Sequence, residues 1–139
     1  MPEGFKFFAT GAHRNLNPIA EMTTRIKPGV EVVPGITTLS TPGHTLGHMS
    51  VVVDSNKELL LVAGDAITHP FISLEHPDWE PQMDMEKDVA VKTRKKLLEM
   101  ISEQRMLVAA YHIPFPGVGH IAKLGSSYRW VPITWQWEL

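Results

Sequence analysis

The run LLLVAGD, residues 59–65, carries the clearest strand signal in this 139-residue chain. Its apolar residues are consecutive rather than alternating, which is typical of a strand that is buried on both faces of its sheet. A second apolar strand, residues 49–54, precedes it, and the polar pair Ser55-Asn56 between them predicts a hairpin turn with antiparallel strands. Because such strands need helices to cover them, this part of the chain predicts an α/β protein.

Four further strands are predicted around this hairpin from short runs rich in β-branched and apolar residues. They are residues 30–33, 36–40, 106–111 and 128–135. Pro34-Gly35 separates the first two, and Pro132 indicates that the last is an edge strand. Trp135 and Trp137 are expected to pack beside that edge or to cover it. The strands together predict one mixed sheet.

One long helix, residues 85–104, is predicted after an irregular segment. That segment, residues 65–85, contains three prolines, and irregular stretches of this length in compact domains are usually functional. Asp84 predicts the N-cap of the helix, and an apolar face that extends to Ile101 predicts its packing on the sheet. The basic run Arg94-Lys95-Lys96 is interpreted as the solvated side of this helix.

Three polar side chains lie where the apolar strands begin or end. His44 lies in the loop before residues 49–54, Asp65 ends the run LLLVAGD, and His112 follows residues 106–111. Strand ends can aim several side chains at one point, and two imidazoles with a carboxylate suit zinc, manganese or iron. Each residue alone also has a simpler interpretation, since such histidines are often structural and such aspartates often close turns.

Three motifs in this order resemble the second half of a metallo-β-lactamase superfamily domain: TPGHTLGH at 41–48, LVAGD at 61–65 and AYH at 110–112. The loop PFPGVGH at 114–120 is similar to the branch that contains methyl parathion hydrolase and lactonase-like enzymes. The resemblance spans about residues 28–132. It implies one domain, residues 1–139, that is half of an αββα sandwich, with a helix packed on one face of a mixed sheet.

The resemblance implies metal-binding roles for the three polar residues. His44 matches the third histidine of the first metal site, Asp65 the carboxylate that bridges two metals, and His112 the histidine of the second site. Metals of this family activate a water and polarise a carbonyl or phosphoryl oxygen, so Asp65 is also assigned to the catalytic centre. The implied cofactor is a divalent metal, zinc first with manganese or iron as alternatives, and the implied substrates are esters, lactones or phosphotriesters.

Five further residues are expected around this centre. His48 is expected to support the loop of His44, His69 to reach the pocket mouth, and His120 to lie behind the ligands. Phe71 and Phe115 are expected to line an apolar substrate pocket if the long loops fold over the site. Packing in the core is the alternative interpretation for these two aromatic residues.

The first-half signature of the family, His-x-His-x-Asp-His, is absent from these 139 residues. Three ligands do not complete two metal sites, so the interpretation that this chain binds no metal also stays open. Half a sandwich also leaves an apolar sheet face without a partner. We therefore expect either a hydrolase half with little activity alone, or a self-associating or plain structural module with vestigial ligands. A second copy or a missing N-terminal half is expected to cover the face.

Composition excludes several other functions. Thirteen basic residues against fifteen acidic ones leave a net charge of −2, which provides no electrostatic footprint for nucleic acid. The absence of cysteine excludes a disulfide scaffold, a thiolate zinc site and a cysteine nucleophile. The apolar stretches are far shorter than the ~20 residues of a spanning helix, and the first residues carry no secretory signal. We expect a soluble chain, cytoplasmic by default, without a membrane partner.

Overall fold

A computed structural model describes residues 6–134 of the chain. Within this range the structure is one seven-stranded sheet with a long helix packed on it. The helices are α1 (Lys6–Leu16) and α2 (Lys87–Gln104). The strands are β1 (Glu31–Val33), β2 (Ile36–Ser40), β3 (Met49–Ser55), β4 (Glu58–Val62), β5 (Leu107–Ala109), β6 (Val118–Leu124) and β7 (Ser127–Pro132). Short helical turns occupy Asn17–Met22, Gly64–Ala66 and Pro70–Glu75.

The strand order brings two chain segments to the same edge of the sheet. Strands β1 to β7 lie in sequential order, and all neighbours are antiparallel except β4 and β5, which are parallel. Parallel neighbours need a crossover connection, and α2 provides it. The carboxyl ends of β4 and β5 therefore meet, and the residues that follow them, Asp65 and His112, share one edge of the sheet.

The hydrophobic core lies between the sheet and α2. Leu98 and Ile101 of α2 are fully buried, and they belong to one apolar cluster with Leu61 of β4 and Val108 of β5. Burying each such side chain stabilises the fold by roughly 1.5–3 kcal/mol before the entropy cost of ordering it. This packing confirms the mixed sheet with a helix on one face, and it holds β4 and β5 in register.

The opposite face of the sheet is apolar but only half-buried. Successive side chains of a strand point to opposite faces, so alternate residues of β3, β4 and β5 turn away from α2. We call these residues the open face: Val51, Val53, Leu60, Val62, Leu107 and Ala109. The consecutive apolar runs predicted burial on both faces, whereas in residues 6–134 only the face toward α2 contains fully buried strand residues, Leu61 and Val108, and the open face is partly buried.

The C-terminal part of the sheet differs from the sequence-based prediction. Residues 113–119 were expected to form only a loop, but β6 begins at Val118 and forms a hairpin with β7. β6 contains a glycine, a histidine and a lysine, so it lacks the apolar run that identified β3 and β4. Trp135 and Trp137, and the end of the predicted last strand, lie outside the described residues.

The N-terminal region and the start of α2 also differ. Helix α1 was not predicted, and none of its side chains is buried, so it lacks a core-facing signal. The helix predicted at 85–104 ends at Gln104 as expected, but it begins two residues later than predicted, at Lys87, with Glu86 as its N-cap residue. The Asp84 side chain, predicted to be that cap, instead binds Arg94. No helix among residues 6–134 combines the length and the apolarity that crossing a bilayer requires.

Candidate metal centre

The side chains of His44, Asp65 and His112 converge at the edge of the sheet. His112 Nε2 lies 2.8 Å from Asp65 Oδ1, and His44 Nε2 lies 3.8 Å from Asp65 Oδ2. Each carboxylate oxygen therefore faces a different imidazole. The His44 side chain is 21% exposed and that of His112 is 51% exposed, so the cluster is open to solvent on the His112 side.

The donor chemistry of this cluster fits half of a two-metal centre. Nitrogen and oxygen ligands lie about 2.0–2.2 Å from zinc, which puts two ligands of one tetrahedral ion roughly 3.4 Å apart. The observed separations of 2.8 and 3.8 Å lie on either side of that value. Among residues 6–134, no group of three or more His, Cys, Asp or Glu side chains is arranged to hold a metal ion. The two oxygens of Asp65 could each face one ion, but these three side chains alone would not complete the coordination of either ion.

Asp65 is held in place by a short turn and by His48. The turn Gly64–Ala66 follows β4, and the Asp65 amide donates to His48 Nε2 at 3.0 Å. On the other side of that ring, Nδ1 lies 2.9 Å from the Thr41 carbonyl oxygen, to which it donates. Gly64 has a φ of +58°, and a Cβ there would lie 2.8 Å from His48 Nε2. His48 uses both ring nitrogens behind Asp65, so it supports the site without facing it.

A buried ion pair lies behind His44. His44 Nδ1 lies 3.2 Å from Asp84 Oδ1, and the other oxygen of Asp84 accepts from Arg94 Nη2 at 2.8 Å. Arg94 Nη1 also donates to the carbonyl oxygens of Pro77 and Trp79. Burial lowers the pKa of Arg94, and the charge and hydrogen bond of Asp84 offset this only in part. Arg94 Nε is buried without a hydrogen-bond partner.

The burial of Arg94 corrects the sequence-based interpretation of this residue. Arg94 was assigned to the solvated side of α2, but it is 1% exposed. A signal for its burial was present, because position 94 follows Ala90 by four residues and precedes Leu97 and Leu98 by three and four. Its partner Asp84 gave no such signal, since nothing in the local sequence indicates which basic residue or imidazole it will contact.

Backbone contacts fix the loop that carries His44. The amides of Met85 and Glu86 donate to the carbonyl oxygens of His44 and Gly43 at 3.2 and 3.0 Å. Gly43 has a φ of +135°, and a Cβ at this position would overlap the backbone of Ala90 in α2. The loop therefore lies directly on α2, and its main chain is held independently of the His44 side chain.

A cavity of about 350 Å³ opens beside His44. One wall is formed by α1 and the other by the segment before α2. Its lining is mostly apolar: Phe8, Ala9, Ala12, His44, Thr45, Met83 and Met85. A group that binds in this cavity would contact methionine and phenylalanine side chains and would lie next to the imidazole of His44.

The long loop carries an exposed aromatic group rather than a closed pocket wall. His69 Nδ1 accepts from the Phe71 amide and caps the turn Pro70–Glu75. Phe71 is exposed, and its ring meets His76 edge-on at 4.9 Å, while His76 stacks on Trp79 at 4.1 Å. Phe115 is also exposed. Neither Phe71 nor Phe115 belongs to the buried core, so the core-packing alternative is wrong for both.

The structure does not bring His120 to the cluster. The sequence suggested a glycine-rich loop near His112, but β6 begins at Val118 and runs back along β5. His120 Nδ1 lies 3.1 Å from the carbonyl oxygen of Met106, which immediately precedes β5. Asp65 and His112 lie beyond the opposite ends of β4 and β5. The antiparallel β5–β6 pairing therefore carries His120 away from the ligands.

Comparison with known proteins identifies similar hydrolases, although no family model matches the chain. An N-acyl homoserine lactonase from Bacillus cereus is 31% identical over 88 residues, and one from a Bacillus species is 30% identical over 89. The solved hydrolase AbOPH of the beta-lactamase superfamily superposes with a TM-score of 0.86 and 25% identity. The dizinc quorum-quenching lactonase AidC superposes with a TM-score of 0.88 and 24% identity, which shows the fold.

The matches differ in how much of this chain and of each similar protein they cover. The lactonase matches include 63% of this chain and 34% of each relative, so the chain matches about a third of their length. The AbOPH superposition covers 98% of this chain and 49% of that chain, and the AidC superposition covers 97% and 46%. Almost the whole chain thus corresponds to about half of each solved enzyme.

Proposed function

We propose that the chain, which resembles hydrolases of the metallo-β-lactamase superfamily, is the metal-binding part of a lactone hydrolase, with His44, Asp65 and His112 as metal ligands. One observation carries this proposal. Asp65 lies between two imidazoles and turns one oxygen toward each of them. A short carboxylate in that position suits a bridging ligand, because its two oxygens can serve two ions at once.

Zinc is the proposed metal, with manganese and iron as alternatives for the same ligand types. The lactonase AidC, which shares the fold, is a dizinc enzyme. A bound divalent metal of this kind supplies polarisation of a carbonyl oxygen and activation of a water. The chain's own residues hold its ligands in place: His48 fixes the main chain of Asp65, and Asp84 faces the ring of His44.

Lactones are the proposed substrate class. Both curated relatives are N-acyl homoserine lactonases, which supports a cyclic ester over a phosphotriester. The His112 side of the cluster is half-exposed and offers a route of approach. The apolar cavity beside His44 could take an acyl substituent, since its lining includes Phe8, Met83 and Met85. Esters and phosphotriesters remain the comparison substrates.

Metal content tests the ligand assignment. We expect the full chain, purified with zinc, to hold stoichiometric metal that is lost in His44→Ala, Asp65→Ala and His112→Ala. His120→Ala is the matched control, because that histidine lies at the other end of β5 and should keep the metal. Wild-type metal content in the three ligand variants, or equal loss in the control, would contradict the assignment.

A lactone-hydrolysis assay on the same proteins then tests the reaction. We expect activity to follow the metal content, with His44→Ala, Asp65→Ala and His112→Ala all reduced and His120→Ala unchanged. An N-acyl lactone, a simple aryl ester and a phosphotriester should be compared at equal concentration. Faster turnover of the phosphotriester than of the lactone would contradict the proposed substrate class while leaving the metal assignment intact.

We further propose that a second copy of the chain covers the open face and contributes ligands. The alternative of a non-catalytic, self-associating module makes the same prediction for assembly and the opposite one for hydrolysis. Sedimentation velocity should show a dimer, and Leu60→Lys, which charges the open face, should shift it to monomer. A wild-type monomer with dye-binding apolar surface would contradict the second copy and would favour another polypeptide on that face.

A further inference from the structure

We propose that Asp84 and Arg94 are a positioning pair that fixes the tautomer and the direction of the His44 imidazole. This inference rests on the proposed function in one respect, namely that His44 is a metal ligand. Among the described residues, no hydrogen bond or ion pair joins Asp84 or Arg94 to Asp65 or His112. The pair acts through His44 alone, by deciding which ring nitrogen carries the proton.

The hydrogen-bond chemistry of Asp84 determines that choice. Oδ2 of Asp84 accepts a hydrogen bond from Arg94 Nη2 at 2.8 Å, which is the geometry of a carboxylate paired with a guanidinium. An ionised carboxylate only accepts hydrogen bonds. Nδ1 of His44, 3.2 Å from Oδ1, must therefore carry a proton in order to bond to it. In the neutral ring, Nε2 then keeps a free lone pair.

That lone pair faces the centre of the candidate site. His44 Nε2 lies 3.8 Å from Asp65 Oδ2, and both atoms are then acceptors without a proton between them. A cation between them would satisfy both acceptors. Carboxylates that bond to the second nitrogen of a metal-binding histidine commonly fix its tautomer and raise its basicity. Asp84 is such a carboxylate, because it faces Nδ1 of His44, the ring nitrogen that points away from the candidate site.

Arg94 prevents Asp84 from moving. Its guanidinium binds Asp84 and also the carbonyl oxygens of Pro77 and Trp79, so it ties α2 to the loop before the helix. A purely structural role would need only the contact between Arg94 and the loop carbonyls. The second oxygen of Asp84 is directed at the His44 ring, and the main chain of His44 is already fixed by Met85. The Asp84 side chain therefore acts on the ring rather than on the loop.

A buried ion pair is an expensive way to hold a loop. Apolar residues of similar volume often replace such pairs without loss of stability, and here Arg94 Nε also remains unpaired. The pair offers one thing that apolar residues cannot, which is an acceptor at Nδ1 of His44.

Nitrogen NMR of the histidine rings tests the proposal without metal or substrate. In the metal-free full chain at about pH 8, where a histidine is ordinarily neutral, we expect His44 in the Nδ1–H tautomer with an unprotonated Nε2. In Asp84→Asn the amide oxygen should turn to Arg94 and the amide NH₂ to His44. We therefore expect the ring to switch to the Nε2–H tautomer.

A double variant keeps the test valid if Asp84→Asn fails to fold. Asp84→Leu with Arg94→Met removes both charges, so no unpaired ion is buried, and His44 should populate both tautomers. Asp78→Asn, an exposed residue of the same loop, is the matched control and should leave the His44 signals unchanged. Zinc titration should show affinity reduced about 10–100-fold in both pair variants and unchanged in the control.

Three results would overturn the proposal. They are an Nε2–H tautomer of His44 in the wild-type chain, protonation of both ring nitrogens at that pH, and an unchanged tautomer in the folded double variant. The tautomer signals do not depend on metal binding. A correct tautomer in a chain that binds no zinc would therefore count against the proposed function and not against the positioning pair.

Discussion

The two sides of Asp65 are built differently. On the His44 side, the loop is bonded to the start of α2, the ring faces a buried carboxylate, and the side chain is 21% exposed. On the His112 side, the ring is 51% exposed and Asp65 is its one hydrogen-bond partner among the described residues. The contrast suggests that the two sides have different roles. The His44 side is held in place by the fold before any ligand binds, and the His112 side remains accessible to solvent.

Removal of the Asp84 carboxylate, on the His44 side, should lower the stability of the protein more than any other change considered. Asp84→Ala leaves Arg94 buried without its counter-charge, so the free energy of unfolding should fall by about 3–5 kcal/mol. Urea denaturation of the full chain measures this. Adding Arg94→Met to Asp84→Ala should restore most of the loss, because the unpaired charge is then gone. A loss below about 1 kcal/mol in the single variant would mean that the pair does not hold this side.

A pair of glycine substitutions compares the two loops directly. Gly43→Ala should lower the free energy of unfolding by about 2–4 kcal/mol, because φ is +135° and the new Cβ overlaps Ala90. Gly117→Ala, on the His112 side, should lower it by about 1–2 kcal/mol, since φ is +66° but the nearest atom is 3.3 Å away. Thermal or urea unfolding checks both. Equal losses of stability in the two variants would show that the loops are packed equally tightly, which would contradict the proposed difference.

His48 supports the aspartate between the two sides. His48→Ala removes the acceptor for the Asp65 amide at 3.0 Å and should lower the free energy of unfolding by about 1–3 kcal/mol. We also expect weaker zinc binding, because Asp65 loses its fixed direction. His69→Ala is the matched control for zinc binding, since that ring caps a separate turn. Weakened binding in both variants would show a general loss of structure.

The smallest expected effect on stability belongs to His112. His112→Ala should change the free energy of unfolding by less than about 0.5 kcal/mol, because the side chain is half-exposed and forms a single hydrogen bond among the described residues. The same variant should nevertheless lose zinc as completely as His44→Ala. Urea denaturation and metal analysis of one preparation give both quantities. A clearly destabilised His112→Ala would show that this side is also built into the fold.

The elements with the strongest local signals were predicted best. The β3–β4 hairpin, the strand β5 and the end of α2 at Gln104 follow from apolar runs and from helical spacing. The convergence of His44, Asp65 and His112 follows from strand ends that share one edge, although their roles as ligands remain a prediction. β6 and α1 were missed because a strand with glycine and lysine, and a helix outside the core, carry little apolar pattern.

The mixed sheet, the helix that covers it and the three polar residues at the strand ends could all be predicted from the amino-acid sequence. Apolar periodicity and chain order are local properties, and these features depend on little else. The packing of the folded chain was needed to show that Asp84 faces His44, that Arg94 is buried behind it, and that His120 lies at the far end of β5. Those contacts join residues 10 to 40 positions apart, so they exist only once strands and helix have packed.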